Sequence, residues 1–211
     1  MIKAVIFDLD GVLFDSYEAN FIYFKELGKL LKLRVPSRSE FHKKYYYQPT
    51  KEMLKILNNI KDMKKLTNKL KAAQGKITAH WQHEKLSEGS EEALKKLHKN
   101  YLLGLATSRS KTGLDRYLKF AKTKKYFKAI VGLDHVKNHK PHPESLLLAA
   151  KILKIKPTEA VYVGDAPTDL KAARGAGMKI IIFGKKKIKG ADAYVKNFNQ
   201  LIPAIKKLKY V

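Results

Sequence analysis

Cysteine is absent from the 211 residues of this sequence. Its absence excludes a disulfide framework, a zinc-thiolate site and a cysteine nucleophile together. Long apolar stretches are missing too, since none approaches the ~18 residues that a membrane span requires. The first apolar run, Ala4–Phe7, leads directly into Asp8 and Asp10, which is not the pattern of a signal peptide. We therefore expect a soluble, cytoplasmic protein without a membrane partner.

Acidic residues are few: 19 Asp and Glu stand against 44 Lys and Arg, which gives a formal net charge of +25 at pH 7. Such an excess is common in proteins that bind nucleic acid. However, only five of the basic residues are Arg. Nucleic-acid-binding proteins use Arg for paired hydrogen bonds to bases and phosphates. We therefore interpret the Lys excess as a solvated surface that steers anionic ligands. We do not expect nucleic acid to be the partner, although the charge of +25 leaves this open.

The remaining composition is that of a globular protein, with 45% hydrophobic and 30% charged residues. Short apolar runs alternate along the chain with segments of helical periodicity. The runs predict buried parallel strands over residues 3–7, 102–106, 129–131, 160–163, 179–183 and 193–195. The periodic segments predict helices over residues 90–99, 111–122, 143–153, 168–176 and 199–208. This alternation predicts an α/β fold with a doubly wound parallel sheet.

One segment interrupts the alternation. Between Ser16 and His83 the sequence contains no convincing strand, only helical patterns broken near residues 35–37 and 48–50. A small helical domain inserted after the first strand explains this most simply. We therefore predict a core domain formed by residues 1–15 and 84–211 and a helical domain formed by residues 16–83.

Polar residues follow four of the predicted strands in the segments where those strands end. They are Asp8 and Asp10, Thr107 and Ser108, Lys140, and Asp165 and Asp169. Because ligands of open parallel sheets bind at the carboxyl ends of the strands, we expect these side chains to share one crevice. Several carboxylates at one place need a cation between them, and an all-oxygen ligand set favours Mg²⁺.

The spacing of Asp8 and Asp10 indicates that the two carboxylates have different roles in one reaction. Residues i and i+2 of an extended chain project to the same side, so one carboxylate can attack phosphorus while the other moves a proton. Gly11 permits a tight turn whose N–H groups can face an anion. This pattern is typical of an enzyme that forms an aspartyl-phosphate intermediate on a carboxylate nucleophile.

Four segments, FDLDGVLFDS, ATSRS, HKPHPE and VYVGDAPTD, resemble in this order the four motifs of the haloacid dehalogenase superfamily. The chain is most similar to the phosphoglycolate phosphatase-like branch, and its helical insertion resembles the superfamily's small cap domain. The resemblance implies a Rossmann-like catalytic core and a role for each motif residue. These roles are Asp8 as nucleophile, Asp10 as general acid/base, Thr107, Ser108 and Lys140 as phosphate ligands, and Asp8, Asp10, Asp165 and Asp169 around the metal. Asp10 would contribute its main-chain carbonyl to that site.

These features predict a Mg²⁺-dependent phosphatase, a phosphoric monoester hydrolase that acts on a small, phosphoglycolate-like metabolite as a monomer or homodimer. The helical cap would select the leaving group. A true dehalogenase would lack the second aspartate, so Asp10 argues against that activity. Two alternatives stay open: a sugar phosphomutase of the β-phosphoglucomutase type, whose second motif ATSRS resembles, and a nucleic-acid-binding protein on the same scaffold.

Other residues near the motifs also allow a prediction. His135, His139 and His142 surround Lys140, and we interpret them as a solvated cluster rather than a metal site. Arg109 is the best candidate outside the motifs for contacting an anionic group of the substrate.

Overall fold

A computed structural model of the chain describes residues 1–46, 50–73, 76–77, 81–185 and 187–208. The chain divides into two compact units, one formed by Met1–Asp15 with Leu86–Val211 and the other by Ser16–Lys85. The second boundary therefore follows Lys85 rather than the predicted His83. In the part of the chain that the structure describes, no helix has both the length and the apolar character needed to cross a membrane.

A six-stranded parallel sheet forms the centre of the first unit. The strands of the chain are β1 (Ala4–Phe7), β2 (Phe14–Asp15), β3 (Lys85–Leu86), β4 (Leu102–Ala106), β5 (Phe127–Val131), β6 (Ala160–Gly164), β7 (Lys179–Phe183) and β8 (Ala193–Val195). The order in the sheet is β5-β4-β1-β6-β7-β8, whereas β2 and β3 pair separately. The predicted α/β fold with a doubly wound parallel sheet is confirmed.

Helices connect these strands and fill the second unit. They are α1 (Tyr17–Leu31), α2 (Arg38–Glu40), α3 (Thr50–Leu57), α4 (Met63–Ala73), α5 (Ser90–Leu97), α6 (Lys111–Ala121), α7 (Glu144–Ile152), α8 (Pro167–Ala176) and α9 (Phe198–Lys207). The five helices after α4 match the five predicted for the core, with ends displaced by one or two residues.

Both faces of the sheet are covered by helices, which explains why its strands read as apolar runs. Successive side chains of β1 alternate between the faces. Val5 and Phe7 join a core cluster with residues of α5, α6 and α9, whereas Ala4 and Ile6 join one with residues of α7 and α8. All four are fully buried. Asp8 is therefore the first polar residue after a completely apolar strand.

The second unit is built around a cluster of aromatic side chains. Phe41, which is fully buried, lies at its centre, and the rings of Phe21 and Phe24 are 5.5 and 5.2 Å from it. The described residues between positions 16 and 83 form helices and no strand, in agreement with the pattern of the sequence. The break that the sequence predicts near residues 48–50 begins at Gln48–Pro49, which lie outside the described residues.

Candidate active site

Asp8 follows β1 directly, at the carboxyl end of the sheet. Its backbone N–H donates to the Val163 carbonyl at 2.8 Å, which continues the pairing with β6. One carboxylate oxygen, Oδ1, accepts the N–H of Leu9 at 2.8 Å. The other, Oδ2, lies 2.8 Å from Nζ of Lys140. The backbone and one buried cation thus fix the carboxylate of Asp8 in place.

Asp165 and Asp169 stand where β6 passes into α8. The Oδ2 atom of Asp169 accepts the backbone N–H groups of Asp165 and Ala166, both at 3.0 Å, so this carboxylate caps its own helix. Gly164 is required here, because a Cβ at this position would lie 2.5 Å from the Cβ of Asp169. The turn thereby brings Asp169 beneath the strand end.

Three carboxylates come together at this point. Asp8, Asp165 and Asp169 are buried, and one carboxylate oxygen of each lies within 4.8 Å of the others. Gly11, at a φ of +73°, forms the wall beside them: a Cβ there would lie 1.8 Å from Oδ2 of Asp165. A set of closely spaced carboxylate oxygens in a tight cradle suits a hard divalent cation such as Mg²⁺.

The electrostatics of the cluster also suit a cation. Burial raises the pKa of Asp8 to about 7, even though Lys140 opposes this shift. Burial and the charges of Asp169 and Asp8 raise the pKa of Asp165 well above its usual range. Burial would lower the pKa of Lys140, but Asp169 and Asp8 outweigh it and hold that pKa well above the ordinary value. One ammonium group faces three carboxylates, so a divalent cation would relieve their repulsion.

Asp10 does not join the three-carboxylate cluster; its carboxylate is held by Arg109. Nε of Arg109 donates to Oδ2 of Asp10 at 2.8 Å and Nη2 donates to Oδ1 at 2.6 Å. The guanidinium carbon lies 5.1 Å from the centre of the Phe14 ring. The sequence predicts Arg109 near the substrate but gives no sign of this pair, whose members are 99 positions apart.

Thr107 and Ser108 follow β4, as predicted. Thr107 is buried, its N–H donates to the Val131 carbonyl at 3.0 Å, and its Oγ1 accepts the N–H of Arg109 at 3.2 Å. Ser108 is exposed. The hydroxyl of Thr107 thus lies at the same end of the sheet as Asp8.

Tyr162 belongs to the site, although no motif in the sequence predicts it. Its phenol oxygen accepts a hydrogen bond from Nζ of Lys140 at 2.9 Å and donates to the Ala106 carbonyl at 3.0 Å. In the run AVYVG it reads as one more apolar strand residue. The one sequence feature that could have indicated its role is a Tyr within a buried strand, because a buried Tyr hydroxyl needs a hydrogen-bond partner.

The three histidines around Lys140 are exposed. Nδ1 of His135 accepts the N–H of Gly132 at 2.9 Å, and His142 lies 3.9 Å from Glu144. Within the described ranges, the one group of carboxylate, His or Cys side chains placed to hold a metal is Asp8, Asp165 and Asp169.

A family model described as "Haloacid dehalogenase-like hydrolase" matches residues 5–183 of this chain. The matched stretch contains all four motifs and the whole helical unit. The chain therefore belongs to the haloacid dehalogenase-like hydrolase family, which confirms the resemblance predicted from the motifs.

Three similar proteins show which activities are named for relatives of this chain. "Putative pyrophosphatase PpaX" of Clostridium perfringens is 32% identical over 182 residues, 85% of this chain and 82% of the relative. Phosphoglycolate phosphatase of Salmonella typhimurium is 34% identical over 122 residues, 54% of this chain and 48% of the relative. The crystal structure of a "putative beta-phosphoglucomutase from Thermotoga maritima" has 26% identity and a TM-score of 0.69, and the match covers 98% of this chain and all of that one. The chain is thus a hydrolase whose curated relatives are named as phosphatases.

Proposed function

We propose that this protein is a Mg²⁺-dependent phosphatase that hydrolyses a small phosphorylated metabolite through an aspartyl-phosphate intermediate on Asp8. The class, a phosphoric monoester hydrolase of the haloacid dehalogenase-like family, agrees with its named relatives. The observation that carries the mechanism is the buried group formed by Asp8, Lys140, Asp165 and Asp169 at the carboxyl end of the sheet. It places a potential nucleophile beside a fixed cation and two carboxylates that can hold a metal.

Asp8, Asp165 and Asp169 would hold the metal ion, together with the main-chain carbonyl of Asp10. When bound, Mg²⁺ supplies charge neutralisation for the phosphoryl oxygens. Thr107 binds the same phosphoryl group, with Ser108 at its edge, and the N–H groups of the turn at Gly11 complete its surroundings. Lys140 would donate to this group the N–H that Asp8 accepts before the reaction.

In the first step, a carboxylate oxygen of Asp8 attacks phosphorus and forms a new P–O bond. The P–O bond to the leaving group breaks, and the leaving oxygen takes a proton from the carboxyl group of Asp10. Phosphorus is then bonded to Asp8, and Asp10 is a carboxylate.

In the second step, Asp10 accepts a proton from a water molecule as the oxygen of that water attacks phosphorus. The P–O bond to Asp8 breaks, inorganic phosphate leaves, and Asp8 is again a carboxylate. Asp10 has regained its proton, so one ester and one water have become one alcohol and one phosphate. Arg109 orients Asp10 for both transfers, since it binds both of its oxygens.

The substrate is proposed as a small phosphate ester of the phosphoglycolate type, and selection of the leaving group is assigned to the unit formed by residues 16–85. A cytoplasmic location and a monomeric or homodimeric state belong to the same proposal. The large positive charge attracts anionic metabolites rather than nucleic acid.

A phosphomutase of the β-phosphoglucomutase type is the second candidate, favoured by the similarity to the Thermotoga maritima structure. Such an enzyme would pass the phosphoryl group from Asp8 to a hydroxyl of a sugar phosphate instead of to water.

Release of inorganic phosphate from a panel of phosphorylated metabolites, with Mg²⁺ and with EDTA, tests the proposal. Wild type should release phosphate only with Mg²⁺, and Asp8→Asn should release none. Asp115→Asn, which changes an exposed carboxylate on α6, is the matched control and should behave like wild type. Sugar-phosphate isomerisation without net phosphate release would favour the mutase, and turnover that EDTA leaves unchanged would contradict the metal assignment.

A further inference from the structure

The ammonium group of Lys140 has all three of its N–H bonds accepted within the first unit. Its Nζ lies 2.8 Å from Oδ2 of Asp8, 2.7 Å from Oδ1 of Asp169 and 2.9 Å from the phenol oxygen of Tyr162. An ammonium carries three donors, so these partners fix both the position of the nitrogen and its rotation. The side chain of Lys140 is only 5% exposed.

Tyr162 differs from the other two partners because it is neutral and belongs to the core. It lies within β6 and is fully buried. Its hydroxyl oxygen lies 3.0 Å from the carbonyl of Ala106, the residue that precedes Thr107, and 3.4 Å from Oδ1 of Asp169, so the shorter hydrogen bond is the one to Ala106. The hydroxyl therefore links the ammonium of Lys140 to the end of β4, from which Thr107 projects.

The three partners of Lys140 also differ in what the proposed reaction does to them. Asp8 loses its carboxylate charge when it becomes phosphorylated, and Asp169 shares its oxygens with the proposed metal. Tyr162 takes part in neither event. Its contact with Lys140 can therefore persist unchanged through the whole cycle, whereas the ion pair between Lys140 and Asp8 loses its negative partner while Asp8 is phosphorylated.

We propose that Tyr162 is a positioning residue, whose hydroxyl holds the Lys140 ammonium at a fixed position relative to Asp8 and to the end of β4. The consequence for catalysis rests on the proposed phosphatase function; the effect on Lys140 itself does not. A small displacement of a phosphate-binding cation lowers the catalytic rate strongly, because a displacement near 1 Å can reduce a rate about 100-fold.

Tyr162→Phe removes the hydroxyl and keeps the ring. We expect kcat with a phosphate ester to fall about 10- to 100-fold, with a much smaller change in KM, because Lys140 is misplaced mainly for the transition state. Tyr117→Phe is the matched control. Tyr117 is 1% exposed in the same unit, and its hydroxyl has no hydrogen-bond partner among the residues that the structure describes. This control should keep wild-type kinetics.

A double-mutant cycle separates positioning from packing. If Tyr162 acts through Lys140, then Tyr162→Phe should cost nothing further in a Lys140→Met background. An equal loss of kcat/KM in both backgrounds would show that the hydroxyl supports the core in general, and would overturn the proposal.

A measurement without substrate decides the matter even if the phosphatase function is wrong. In ¹⁵N-lysine-labelled protein, the buried Lys140 ammonium should exchange its hydrogens slowly with water and give a signal that Lys140→Met removes. Tyr162→Phe should accelerate this exchange at least about 10-fold, the factor that corresponds to a loss of 1.4 kcal/mol, whereas Tyr117→Phe should not. Unchanged exchange in Tyr162→Phe, or its failure to fold where Tyr117→Phe folds, would overturn the proposal. Failure of the proposed function would appear instead as a wild type that releases no phosphate.

Discussion

Arg109 binds both carboxylate oxygens of Asp10, through Nε at 2.8 Å and Nη2 at 2.6 Å. The Arg109 side chain is 15% exposed and that of Asp10 is 31% exposed, so the pair is partly shielded from water. A fork of two parallel hydrogen bonds fixes the plane of a carboxylate in a way that a single lysine contact cannot. The residue proposed as the general acid/base therefore has a defined orientation before substrate arrives.

Replacing Arg109 should impair proton transfer. We expect Arg109→Ala to lower kcat about 10- to 100-fold on an alkyl phosphate, because general acid help is worth ~10²–10⁴-fold and depends on orientation. The loss should be smaller on p-nitrophenyl phosphate, whose leaving group departs without a proton. Arg109→Lys, which keeps the charge but not the fork, should recover only part of the activity. If Arg109 instead contacts the substrate, as the sequence predicts, KM should rise equally for both esters with kcat unchanged.

The strand ends explain why much of this site could be predicted from the sequence. Asp8, Thr107 and Asp165 each follow a fully apolar run, and the carboxyl ends of parallel strands necessarily meet at one edge. Lys140 was predicted because its motif lies after another such run. These predictions need only the chain order and the period of the hydrophobic pattern.

The remainder of the site depends on side-chain reach, which a single sequence does not encode. The pair of Asp10 and Arg109 joins positions that are 99 residues apart. The sequence predicts that Asp10 contributes its main-chain carbonyl to the metal site, but it does not predict that the carboxylate of Asp10 lies on Arg109. Tyr162 is hidden in a strand that reads as entirely apolar. Strands β2 and β3 are only two residues long and carry no periodicity that could predict them.

The metal-free protein should lose stability as pH rises from about 4 to about 7. Burial raises the pKa of Asp8 from 3.8 to about 7 in the folded protein. Between these values the folded chain binds more protons than the unfolded one, so a rise in pH favours unfolding. Thermal melts in EDTA should therefore give a lower Tm at about pH 8 than at about pH 5.

Asp8→Asn removes the titrating group and should reduce this fall in Tm. A residual fall should remain, because burial also raises the pKa of Asp165. Equal falls in wild type and Asp8→Asn would contradict the assignment of the effect to Asp8.

Gly11 should tolerate no side chain. A Cβ there would lie 1.8 Å from Oδ2 of Asp165, and the φ of +73° is itself strained for alanine. Gly177→Ala is a matched control, since Gly177 has a φ of +72° and nothing within 4 Å of the added Cβ. Gly177→Ala should lose about 1–2 kcal/mol of stability from backbone strain alone. Gly11→Ala should lose more and should also need a higher Mg²⁺ concentration for activity, measured by titration; equal behaviour of the two variants would show that the wall beside Asp165 is not tight.

The +25 charge should act on substrate capture rather than on chemistry. Added salt should lower kcat/KM for an anionic ester while kcat at saturation changes little. Binding to DNA or RNA should be weak and nearly lost at ~0.15 M salt.

Neutralising Lys185, Lys187 and Lys189 to Gln tests the densest basic cluster; Lys186, which belongs to the same run, lies outside the described residues. The same change at Lys95, Lys99 and Lys119, all exposed, is the control. Both variants should show the same modest loss of polyanion binding and unchanged turnover. Tight binding at ~0.15 M salt that only the first variant abolishes would identify nucleic acid as a specific partner.

Covalent phosphorylation of Asp8 tests the central claim most directly. Asp10→Asn should slow the attack of water on phosphorylated Asp8 more than the attack of Asp8 on p-nitrophenyl phosphate, because only the attack of water needs a base. Acid quenching of this variant with p-nitrophenyl phosphate and Mg²⁺, followed by peptic digestion and mass spectrometry, should reveal one phosphate adduct, on the peptide that contains Asp8. The same experiment with Asp8→Asn added to Asp10→Asn should reveal none. An adduct on another residue, or undiminished phosphate release by Asp8→Asn, would contradict the account.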